Sequence, residues 1–127
     1  MIEQIAESRG KPLFLGLDHI GVYATPSVSA QEAAEWYRER FGFTVEEGTG
    51  AFLLSGTEFG RIEIVKAASD ASCHLAVRVP NYEKAVAALR AQGVEFDEPR
   101  RYTPEAKMVV LRDKDPLGNS IHLLWKA

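Results

Sequence analysis

The chain carries one order of strand and helix signals twice over. Apolar stretches at 17–24 and 73–79 each hold a histidine near their start, His19 and His74, and each is broken by a proline, Pro26 or Pro80. A helix signal follows, then a glycine, then further strand signals. The last strand of the first copy bears Glu63, and that of the second bears His122. A repeat on this scale predicts two small units that cannot each bury their own faces and must share them. The 127 residues fit one compact domain or two fused half-domains with a common core.

The local signals are explicit. Leu17–Ala24 alternates as a strand does, and Thr25-Pro26-Ser27 breaks it. Ser29 caps a helix over Ala30–Arg40, with Glu32 at the capping-box position. Trp36, Tyr37 and Phe41 form its apolar face, and Gly42 ends it. Strands are predicted at Phe43–Glu47, Ala51–Ser55 and Phe59–Lys66. After a linker at Ala67–Ala71 comes a strand at Cys73–Val79 and a helix over Tyr82–Gln92, capped by Asn81 and closed by Gly93. Further strands are predicted at Val94–Asp97, Lys107–Arg112 and Asn119–Trp125, with a basic aromatic loop at Pro99–Glu105 and a turn at Asp115-Pro116-Leu117-Gly118. Residues 1–16 read as an N-terminal arm, in which Ile2 and Ile5 seed a helix turn that Gly10 and Pro12 stop. Residues 17–127 then form a single domain of two βαβββ modules, 17–66 and 72–126.

Bulk properties exclude several classes. A net charge of −3 gives no reason to expect nucleic acid as a partner. No apolar run approaches a membrane span, and Met1-Ile2-Glu3-Gln4 lacks the pattern of a signal peptide. The single cysteine, Cys73, cannot form an internal disulfide. Together these point to a cytoplasmic protein.

Alternate residues on a strand share a face. His19 therefore lies with Leu17 and Gly21, Glu63 with Arg61 and Val65, and His122 with Ser120 and Leu124. Ile62, Ile64, Ile121 and Leu123 fall on the opposite faces, free to pack on helices. A carboxylate between two isoleucines is costly to bury without a cation or strong hydrogen bonds. Imidazoles and a carboxylate suit a divalent transition metal, Zn, Ni, Co, Mn or Fe(II), and not calcium.

At residues 17–126 the chain resembles the vicinal oxygen chelate superfamily, which includes glyoxalase I, bleomycin-resistance proteins, extradiol dioxygenases and methylmalonyl-CoA epimerase. The carriers are Leu17-Asp18-His19-Ile20, the helix end Trp36–Phe43, Ile62-Glu63-Ile64, His74-Leu75-Ala76-Val77 and Asp115–Leu123. The resemblance implies an α+β fold in which two tandem βαβββ modules make a curled, open mixed-sheet barrel. It implies a metal held by His19, Glu63, His74 and His122, and a homodimer. The last ligand position is Glu in glyoxalase I, the epimerase and the extradiol dioxygenases; here it is His122. Glyoxalase I uses metal-bound carboxylates as proton shuttles, and of the four residues here only Glu63 is a carboxylate. Four protein ligands leave about two positions of an octahedral shell, enough for a bidentate substrate and crowded for oxygen.

The reading that follows is a metal-dependent lyase or isomerase acting on a small carbonyl or hydroxy-carbonyl substrate, with Glu63 as the catalytic proton carrier. An extradiol-type iron dioxygenase is the first alternative, with one of the four side chains off the metal. A bleomycin-resistance-like binding protein is the second, with aromatic side chains carrying affinity. Arg101, Tyr102 and Trp125 are candidate substrate contacts.

Overall fold

A computed structural model gives the fold, and residues 7–8, 11–70 and 73–127 are described. The elements run β1 (Glu7–Ser8), β2 (Lys11–Pro12), β3 (Gly16–Ala24), α1 (Ala30–Phe41), β4 (Thr44–Glu47), β5 (Ala51–Ser55), β6 (Arg61–Ala68), β7 (His74–Arg78), α2 (Tyr82–Arg90), β8 (Arg101–Tyr102), β9 (Ala106–Val110) and β10 (Ser120–Lys126). Two compact units result. One is His19–His74; the other is Leu75–Ala127 with the described residues up to Asp18.

The first unit is a four-stranded mixed run in the order β4-β5-β6-β3. β4, β5 and β6 form an antiparallel meander, and β3 joins β6 in parallel. One helix, α1, covers its apolar face. Ser29 accepts from the Glu32 backbone N–H while the Glu32 carboxylate accepts from that of Ser29, so the capping box forms. Gly42 closes the helix at φ 72°, a left-handed position glycine adopts without a Cβ clash. Ala30, Ala34, Phe52, Leu54 and Ile64 are buried between helix and sheet. Burying a side chain the size of Leu54 or Ile64 contributes roughly 1.5–3 kcal/mol.

The aromatic face expected of α1 is only partly internal. Tyr37 packs against this core, but Trp36 and Phe41 are exposed. At 3.6 residues per turn Trp36 falls about 120° from the Ala30–Ala34 stripe. Phe41, the last helical residue, stacks on Phe43 instead.

The second unit repeats the scheme. Its strands neighbour one another in the order β7-β10-β9-β8, and β8, β9 and β10 are antiparallel. Asn81 caps α2 by accepting from the Lys84 N–H. Val79, Tyr82, Ala85, Val86, Phe96, Val109 and Leu123 form its core. The strand expected at Val94–Asp97 reduces to a single bridge, Phe96 to Leu111. The loop at 99–105 contains β8, a two-residue strand paired with Lys107 and Met108. β1 and β2 pair antiparallel, while the helix turn expected at Ile2 and Ile5 lies outside the described residues. No helix among the described residues is long and apolar enough to cross a membrane.

Candidate metal centre

The first unit buries Ile64, Leu54 and Phe52 on its helix side, so the neighbours in sequence stand on the other side. Register then places residues from four strands in rows across that open face. Gly21 is beside Glu63, Glu63 beside Leu53, and Leu53 beside Glu46. In the next row His19 is beside Arg61, and Arg61 beside Ser55. Along β3, His19, Gly21 and Tyr23 share the face.

His19, Glu63 and His74 converge there. His74 Nε2 lies 3.3 Å from His19 Nε2 and 3.2 Å from Glu63 Oε1, and His19 Nε2 lies 3.7 Å from Glu63 Oε1. The two rings meet edge to face, with centroids 5.4 Å apart. The His74 side chain is 5% exposed, that of His19 12% and that of Glu63 29%, so the cluster opens toward solvent at the carboxylate. Metal–ligand bonds of about 2.1 Å put neighbouring donors about 3.0 Å apart in an octahedral shell and about 3.4 Å in a tetrahedral one. The observed triangle fits one small divalent ion, and its donor chemistry fits a transition metal.

Two residues that sequence reasoning did not single out shape this centre. The Tyr23 hydroxyl is hydrogen-bonded to His74 Nδ1 at 3.0 Å. Gly21 supplies the space for the His74 ring: a Cβ at residue 21 would stand 1.9 Å from Cε1 and 2.1 Å from Nε2. Both were legible in principle. A glycine inside a strand marks close approach of another group, and Tyr23 lies on the face of His19 by simple alternation.

An open hollow of about 550 Å³ adjoins Glu63. Glu46, Leu53, Glu63 and Val65 line it with the turn at Gly48 and Gly50. Glu46 thus shares the hollow with Glu63.

The other expected site residues lie in the second unit. His122 is buried on β10, opposite Val110 of β9. Trp125 is on the other face of that strand, packed with Leu123 against the α2 core. Tyr102 is exposed on β8 and donates to Glu83 of α2 at 2.6 Å; Lys107 binds the same carboxylate at 2.8 Å. The Lys107 ammonium also lies over the Tyr102 and Trp125 rings, at 4.5 and 5.3 Å. The hydrogen bonds from Lys107 and Tyr102 hold the Glu83 carboxyl down at about 2, the Lys107 bond being the larger cause. Arg101 is exposed beside Met108.

Residues 16–123 match the family model of the Glyoxalase/Bleomycin resistance protein/Dioxygenase superfamily. Curated protein sequences give no match. Among solved structures, methylmalonyl-CoA epimerase from Mycobacterium tuberculosis superposes with a TM-score of 0.75 at 23% identity, over 91% of this chain and 90% of that one. A Streptomyces coelicolor methylmalonyl-CoA epimerase in complex with 2-nitronate-propionyl-CoA gives 0.68 at 21% identity, over 90% and 99%. A hypothetical protein from Bacillus halodurans gives 0.65 at 21%, over 87% and 94%. At these identities the likeness is one of fold.

Proposed function

Because the chain belongs to the Glyoxalase/Bleomycin resistance protein/Dioxygenase superfamily, we propose that it is a metal-dependent isomerase moving a proton next to a carbonyl in a small substrate. The observation that carries this reading is the convergence of His19, His74 and Glu63 at the edge of an open hollow. These three side chains would hold the ion, with His122 proposed as a fourth ligand. A divalent ion bound there supplies Lewis-acid polarisation of a carbonyl oxygen, which acidifies the adjacent C–H.

The chain's own residues do the rest. Glu63 is the carboxylate closest to both imidazoles and is the proposed proton carrier. Glu46 stands two strands away on the same face, about 9–10 Å by strand spacing, with Leu53 as the apolar floor between them. Carboxylates on two sides of one hollow suit removal of a proton from one face of a carbon and its return to the other. That arrangement favours isomerase over lyase chemistry, as does the likeness to epimerases. Residues 17–127 act as one domain in this reading, and the active form is a homodimer, which the mass in solution tests.

The experiment is deuterium uptake from D₂O at the carbon beside the carbonyl, followed by NMR. Methylmalonyl-CoA is the first compound to try, since the neighbouring structures are named for it. Glu46→Gln should keep full metal content and lower exchange about 10²–10⁴-fold. Glu63→Gln should keep part of the metal and lose most turnover. Full exchange in both variants would remove these carboxylates from the reaction.

A second reading has a specific observation in its favour. Two histidines and one carboxylate are the ligand set of non-haem iron oxygenases. Oxygen consumption with a catechol by the iron-loaded protein, without proton exchange on carbonyl compounds, would replace the isomerase reading.

A further inference from the structure

We infer that Tyr23 is a positioning residue that selects the metal-binding tautomer of His74, its hydroxyl changing from donor to acceptor as the centre is loaded. The inference rests on the metal centre proposed above. His74 presents Nε2 to Glu63 and His19, while Nδ1 faces the Tyr23 hydroxyl at 3.0 Å. The ring has little freedom to choose otherwise. It is almost wholly buried, fills the space left by Gly21 and meets the Tyr23 ring edge-on, with centroids 5.9 Å apart.

A neutral imidazole carries one N–H. Without a cation, a proton on Nε2 can be donated to Glu63 Oε1, and Nδ1 then accepts from the Tyr23 O–H. A cation at Nε2 requires a bare lone pair there, so the proton must sit on Nδ1. At Nδ1 this asks only for rotation of the Tyr23 hydroxyl, which then accepts from Nδ1–H. A hydroxyl does both; a carbonyl or carboxylate at that place could only accept and would hold one tautomer permanently. Partners of this kind on metal-bound histidines typically govern affinity by 10–100-fold.

The test uses the full chain and Zn²⁺ as probe. ¹⁵N-resolved NMR of the wild type should show the His74 ring proton moving from Nε2 to Nδ1 on titration with Zn²⁺. Tyr23→Phe, which leaves the buried Nδ1 without this partner, should lower the unfolding midpoint of the metal-free protein without preventing folding and bind Zn²⁺ about 10–100-fold more weakly. Substituting Tyr23 by Gln, whose amide group can accept from Nδ1–H, should recover part of the lost affinity. Wild-type affinity in Tyr23→Phe, or a ring proton on Nδ1 before and after loading, overturns the inference. Absence of Zn²⁺ binding by the wild type would instead overturn the metal centre itself, and His74→Ala serves as the control for that outcome.

Discussion

The two units share a plan and differ on the sheet face turned away from the helix. Each has a capped helix over an apolar sheet face, with Ile64 and Leu54 buried in one and Leu123 and Val109 in the other. In the first unit the opposite face gathers His19, Glu63, His74 and Tyr23 beside a hollow. In the second, the corresponding sheet face carries His122, Leu124 and Val110, all buried, and the polar set Glu83, Lys107 and Tyr102 closes on itself on the helix side instead. A duplicated scaffold thus keeps its core pattern in both copies, while chemistry concentrates where charged groups are left facing a space. A single methyl marks the divergence. Gly21 is two residues after His19, and its counterpart two residues after His74 is Ala76, which is buried.

The sharpest way to break the comparison is to give the first unit what the second has. In Gly21→Ala the new Cβ collides with three atoms of the His74 ring. The ring must leave its place and with it Tyr23 and Glu63. We expect metal affinity to fall at least 100-fold, with about 1–3 kcal/mol of stability lost to overpacking. Calorimetric Zn²⁺ titration and urea unfolding read the two effects separately. Wild-type affinity in this variant would mean that His74 does not need the seat Gly21 provides.

Next in size are deletions of the proposed ligands, which ask how much of the proposed metal centre the first unit supplies. His19→Ala and His74→Ala should each abolish binding of one equivalent of metal, because each removes a third of the triangle. His122→Ala, removing the proposed fourth ligand, should weaken binding without abolishing it. Equal loss in all three, by elemental analysis after dialysis, would make the second unit an equal contributor to the centre.

The convergence of His19, Glu63 and His74 was expected from the family resemblance; strand alternation by itself said only which neighbours share a face with each of them. Gly21 and Tyr23 obey the same counting, yet a glycine and a tyrosine in a strand carry no chemical signal until a ring is seen in contact with them. Glu46 was not legible. Its place opposite Glu63 depends on register through β4, β5 and β6, which no local pattern encodes. The helix caps were legible since Ser29, Glu32 and Asn81 act within one turn. The segment at Val94–Asp97 has strand composition but bonds to the rest at isolated points, from the Asp97 N–H to Val110 and from the Arg112 N–H to Glu95. Composition alone does not distinguish a bridge from a strand.

The two caps offer a smaller contrast. Ser29 takes part in a reciprocal box and Asn81 in a single bond. Ser29→Ala should cost about 1–2 kcal/mol and Asn81→Ala about 1 kcal/mol, both by urea denaturation. The reverse order would show that tertiary packing, not the cap, sets the stability of each helix.

The smallest effect tests whether the second unit's aromatic loop is indeed closed on itself. Glu83 is held down at about 2 by Lys107 and Tyr102, against an ordinary value of 4.5. A depressed carboxyl stabilises the folded state fully above its unfolded value, and that contribution is lost as pH falls through the folded one. The gap in urea midpoint between wild type and Glu83→Gln should therefore be widest above pH 4.5 and close by about pH 2. It should also narrow in high salt, because the carboxylate is more than half exposed. Coincident midpoints at every pH would mean that Glu83 does not tie down Tyr102 and Lys107. These side chains, with Arg101 beside them in sequence, would then be open to an anionic ligand, and the second unit would carry a binding face of its own.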